Sequence, residues 1–84
     1  MKFRTGDSII VMEPGNTYTT HYQMAEKLKV TNWAEGICPK EGNIGVFLRC
    51  EHCTGRFPVT HCLVEIHDKQ YIMGDTGIEL YKRK

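Results

Sequence analysis

With 84 residues, the chain reads as one domain near the small end of what folds alone, burying only roughly 60–65% of the surface its unfolded form exposes. A hydrophobic content of 40% and a charged content of 25% argue against wholesale disorder, and a net charge of +1 gives no global pull toward nucleic acid or an anionic membrane. No apolar run approaches the ~20 residues of a membrane span and no charged-then-apolar leader follows Met1, so the expected compartment is the cytoplasm.

In chain order, Lys2 and Arg4 lead into a turn at Gly6-Asp7, and residues 8–13 form a first strand rich in Ile9, Ile10 and Val11. β-Branched side chains suit a pleated surface, and Pro14-Gly15 ends the run because proline cannot donate to a ladder. Thr20-His21-Tyr22-Gln23 fits a capping box with Thr20 as N-cap. The good helix formers Met24, Ala25, Glu26, Lys27, Leu28 and Lys29 follow, so a helical insertion is expected over about residues 20–30. Its apolar face, Tyr22, Met24, Ala25 and Leu28, is narrow, and two to three turns need tertiary packing to persist. Trp33 is expected to tuck against the body of the domain.

Residues 34–40 are irregular, and Glu41-Gly42-Asn43 is a turn that launches a second strand, residues 44–48. Gly45 within it suggests a bulge or bend. Residues 62–67 return as a strand, Asp68-Lys69 is a tight turn, residues 70–73 form the next strand, Gly74 to Gly77 turn again, and residues 78–81 close the chain. Tyr22, Tyr71 and Tyr81 read as seam residues. The expected fold is mostly β: a small five-stranded barrel, which removes exposed edges, with one short α-helix inserted after the first strand.

The turn punctuation supports a resemblance. Gly6-Asp7 before Ile9-Ile10-Val11, then Glu41-Gly42-Asn43-Ile44-Gly45-Val46, then the run Tyr71-Ile72-Met73-Gly74-Asp75-Thr76-Gly77-Ile78-Glu79-Leu80 resembles the SH3-like small barrels. Among these the chain looks closest to KOW-type modules of ribosomal and transcription-elongation proteins. It is also similar to short uncharacterised proteins of tailed bacteriophages that carry a helix between the two glycine turns. The first likeness implies nucleic-acid binding; small barrels of this kind also serve as protein-interaction modules, and a phage-like member would bind and modulate a host protein.

Chemistry concentrates between Arg49 and Cys62, which hold three of the four cysteines and two of the four histidines. Residues 50–62 read as the long tip of a hairpin. Zinc takes four tetrahedral thiolate or imidazole ligands, and a Cys-x-x-Cys turn lets two sulfurs reach one ion. A structural zinc site is therefore expected from Cys50, Cys53, His61 and Cys62, with Cys38 or His52 as replacement ligands. Neighbours in a strand face opposite ways, so His61 and Cys62 would both ligate only at a bend. The plainer alternative is four thiols, some packed as small hydrophobes. A redox reading of Cys50-Glu51-His52-Cys53 lacks the following helix that lowers a thiol pKa.

An enzyme is not expected: a Cys-His pair can be written, but no oxyanion hole or phosphate-binding loop accompanies it. His21 and His67 read as exposed or capping residues. Two binding classes stay open. A protein partner would meet the hairpin tip and the helix; RNA or DNA would meet Lys2, Arg4, Arg49, Arg56, Lys82, Arg83 and Lys84, with Phe57 or Tyr81 for stacking. Capture of a small ligand between protomers is a lesser third. Near-neutral charge favours the protein partner.

Overall fold

The computed structural model describes residues 3–56 and 58–82. Lys2, Phe57, Arg83 and Lys84, all candidate binding residues, lie outside them. Five antiparallel strands form one sheet: β1 (Ser8–Val11), β2 (Ile44–Cys53), β3 (Val59–Ile66), β4 (Lys69–Gly74) and β5 (Ile78–Leu80), in the spatial order β4-β3-β2-β1-β5. One short helix, α1 (Tyr22–Lys27), lies between β1 and β2, and 3-10 turns occupy Pro14–Asn16 and Asp75–Gly77. This is the expected mostly-β architecture of a small barrel with a helical insertion.

The sheet has apolar residues on both sides. Inside, Ile9, Val11, Phe47, Cys62, Val64, Ile66, Met73 and Ile78 form one buried cluster, joined by Phe3, whose ring stacks on Phe47 with centroids 5.5 Å apart. On the outside of β3 and β4, Leu63 and Ile72 pack with Met24 and Leu28 of the insertion in a second cluster. Residues 61–64 of β3 are therefore buried continuously rather than alternately, as happens when both faces of a strand are covered. The insertion also guards an edge. Tyr18 N–H donates to the Ile72 carbonyl at 2.8 Å, Ala34 N–H to that of Gln70 at 2.9 Å, and Gln70 N–H to that of Asn32 at 3.2 Å. Unpaired β4 backbone groups are thus satisfied within the chain.

Local geometry shifts several expected details. The helix N-cap is His21, whose Nδ1 accepts the Met24 N–H at 3.3 Å. Thr20 lies one residue before the cap, and its carbonyl accepts the Tyr22 N–H two residues on, not an N–H four residues on as in the helix. At the other end Lys29 adopts φ +54°, with Val30 N–H donating to the Ala25 carbonyl and Lys29 N–H to that of Glu26. That is a Schellman close with lysine where glycine is usual. The hairpin turn between β3 and β4 is His67-Asp68, both at positive φ (+50° and +66°), as a type I′ turn requires; Lys69 already belongs to β4.

The β2 irregularity falls between Phe47 and Arg49, not at Gly45. Gly45 has a different task, since an added Cβ would collide with the Glu65 carbonyl oxygen and the Ile66 side chain. The Tyr22 side chain is 58% exposed and is no seam residue; it meets Trp33 edge-on at 5.5 Å, and Trp33 packs against the outer cluster as expected.

Candidate functional site

The arm made by β2 and β3 is longer than expected. Pairing runs on from Phe47↔Val64 through Cys50↔Cys62, Glu51↔His61 and His52↔Thr60 to Cys53↔Val59. Strand pairing reaches Cys53 and Val59, so the expected loop over 50–62 is largely strand. Thr60, His61 and Cys62 fit a ladder at least as well as a loop, and the bulge before Arg49 restores the parity that pairs the two halves.

That ladder decides which side chains meet. Opposed residues share a face and neighbours alternate. Cys50 and Cys62 both face the interior, Cys62 fully buried and Cys50 packed at the margin of the inner cluster. Continuing the same row, Met73 lies opposite Cys62 on β4. Cys53 and His61 instead join the outer side, with Cys53 Sγ 3.7 Å from His61 Nδ1. His52 Nδ1 meets Thr60 Oγ1 at 2.7 Å, and Cys38 is exposed in the segment before β2. The four expected zinc ligands thus form two pairs on opposite faces. Cys50 and Cys53 stand on one extended strand, about 10 Å apart along it, where a chelating turn would curl them together. Among the described residues no three His, Cys, Asp or Glu side chains converge as a metal-binding group. As placed, no more than two of these four side chains share a face.

His61 is a packed aromatic. Its ring lies 4.5 Å from that of Tyr18 and 5.3 Å from that of His21. Burial, and then the nearby His21, push its pKa below the ordinary imidazole value, so the neutral ring is favoured in that stack. Burial, reinforced by Glu51, pushes the Cys50 thiol up, so the thiolate is its minor form at neutral pH and its reactions as a nucleophile are slow. Hydrogen bonding to Glu35 and its charge raise Tyr22. Tyr18 and His21 carried no sequence signal for this cluster; only the fold-back of the insertion brings them to β3.

The basic candidates are dispersed. Arg49 donates from Nη1 to the Leu28 carbonyl at 2.9 Å, closing the C-terminal end of α1. Arg4, Arg56 and Lys82 are exposed. A different surface was not singled out by the sequence. The outward side of β5-β1-β2 carries Ile10, Ile44 and Val46, since Ile10 opposes Ile44 and Ser8 opposes Val46 while Ile9 and Val11 point into the core. Tyr81 N–H donates to the Ser8 carbonyl at 2.9 Å, extending β5 and setting Tyr81 beside this row. Ile44 is 45% exposed, Val46 40% and Tyr81 37%. Apolar Ile44 and Val46 on either side of Gly45, two residues apart and so on one face of a strand, were the sequence signal that could have found it. Glu79, opposite Ile10, is the charge in the row.

Among the described residues no helix is long and apolar enough to cross a membrane. Compared with known proteins, the chain matches no family, no curated sequence and no solved structure.

Proposed function

We propose that this chain is a small, non-enzymatic binding module that docks a folded protein partner on the outward face of β5-β1-β2. Given the likeness to short phage proteins, the partner is a host protein met in the cytoplasm, whose activity is modulated by the contact. The observation that carries this reading is the row Ile10, Ile44, Val46 and Tyr81, which leaves apolar side chains in solvent. Buried at an interface, such a row supplies the uncharged centre that protein contacts use. Glu79 in the row calls for a partner patch that is apolar with one Lys or Arg at its rim. A net charge of +1 and the engagement of Arg49 with the helix end weigh against a phosphate-tracking surface.

Salt separates this from the KOW-like alternative. Each phosphate contact makes log affinity fall by about 0.7–0.9 per log unit of salt. Binding of mixed-sequence single-stranded RNA, followed by fluorescence anisotropy across a salt series, is expected to be weak and unchanged by Val46→Asp. Tight RNA binding with a steep salt slope, weakened by Arg56→Glu, would overturn the protein-docking reading.

A further inference from the structure

The cross-strand register points to chemistry that the Cys-x-x-Cys spacing hides. Cys50 and Cys62 are direct partners across β2 and β3, with both side chains on the interior face. Opposed residues in an antiparallel pair have Cα atoms about 4.5 or 5.5 Å apart, and disulfides span Cα separations of about 4.4–6.8 Å. Either kind of pair is within reach without moving the backbone far. Cys53 is no rival partner for Cys50, because three extended residue steps place them about 10 Å apart on opposite faces. Cys53 lies instead beside His61. The burial of the pair is asymmetric: Cys62 has no exposure, and Cys50 is half-buried at the margin.

We propose that Cys50 and Cys62 are a reversible redox pair that closes to a cross-strand disulfide and staples the arm. The co-reactant is a low-molecular-weight disulfide, RSSR. Cys50, the accessible member, loses its proton to solvent, and its thiolate attacks one sulfur of RSSR. The S–S bond breaks, the first RS⁻ leaves and takes up a proton, and a Cys50–SR mixed disulfide remains. Cys62 then loses its proton, its thiolate attacks Cys50 Sγ, and the second RS⁻ departs and is protonated. Two protein thiols are oxidised to one disulfide and one RSSR is reduced to two RSH. Cys62 resolves and does not initiate, because an external disulfide cannot reach it. The simpler fate of such a pair, two buried thiols packed as hydrophobes, makes a different prediction: no bridging bond forms.

The test is treatment of the purified full chain with excess oxidised glutathione, followed by intact mass and peptide mapping after alkylation of remaining thiols. The expected product has a peptide bridging Cys50 to Cys62 with two hydrogens lost, reversed by dithiothreitol. Cys62→Ala should trap Cys50 as a lasting glutathione adduct, and Cys50→Ala should leave Cys62 unmodified while exposed Cys38 still reacts. The mapping of the unaltered chain stands by itself if a variant folds poorly. A Cys50–Cys53 bridge, a persistent Cys50 adduct in the unaltered chain, or inert Cys50 and Cys62 while Cys38 reacts would each overturn the proposal. So would a co-purifying metal, seen by native mass spectrometry, that shields both thiols until acid releases it.

Discussion

One sheet presents two apolar outer surfaces, and only one of them is covered. Over β3 and β4, Leu63 and Ile72 have no exposure, because Met24 and Leu28 of the insertion lie on them. Over β1, β2 and β5, Ile44 and Val46 are 45% and 40% exposed. The same kinds of side chain at the same kind of strand position end up in opposite surroundings. The difference is the 32 residues between β1 and β2, residues 12–43, long enough to fold back over one outer surface and edge and not over the other. The covered side is a core; the bare side is exposed, and it is the surface on which we propose that a partner docks.

The contrast breaks most visibly by truncating one residue on each side. Leu63→Ala should cost about 2–5 kcal/mol by urea unfolding, and Val46→Ala no more than about 0.5 kcal/mol. Equal losses would mean that the bare side is packed in solution. Next come the fastenings of the cover. Arg49→Met removes the guanidinium from the Leu28 carbonyl, and for a side chain this exposed about 0.5–1 kcal/mol is expected. Lys29→Gly should act in the other direction: relieving φ +54° at the helix end should stabilise by about 0.5–1 kcal/mol, read as a higher urea midpoint with unchanged slope.

The smallest expected effect is pH-dependent and belongs to the covered side alone. His61 has its pKa lowered by burial and by His21, so the unfolded chain takes up a proton before the folded one. Its contribution to stability is complete above about pH 6.5 and declines as pH falls through the lower folded value. Urea midpoints from about pH 7.5 to about pH 5.5 should drop, and His61→Phe should flatten that slope.

What the sequence made legible follows the same division. Strands were readable where punctuation is strong: Pro14-Gly15 after Val11, Gly42-Asn43 before Ile44, and Gly74 to Gly77 before Ile78 bound elements found close to their expected places. The helix was readable from Met24, Ala25 and Leu28, although its cap moved by one residue to His21. Phe3 was not, because a single aromatic in a charged terminus has no period. The arm misled for a physical reason. Cysteine and histidine clusters suggest loops and ligands, yet a ladder is set by backbone pairing and does not read side-chain chemistry. Once residues 50–53 are extended, parity alone sends Cys50 inward and Cys53 outward. The pairings Cys50 with Cys62 and Cys53 with His61 depend on the register across the bulge, which no local pattern encodes.

The central claim is that the bare face of β5-β1-β2 is where a protein partner docks. The most direct measurement identifies the protein retained from a bacterial cell extract on the immobilised chain in high salt, then titrates that purified partner against the unaltered chain and Val46→Asp. The account predicts that Val46→Asp keeps its urea midpoint within about 0.5 kcal/mol and loses at least about tenfold in affinity, or about 1.4 kcal/mol. Unchanged affinity with Val46→Asp, alongside loss with substitutions at the helix or the hairpin tip, would contradict it.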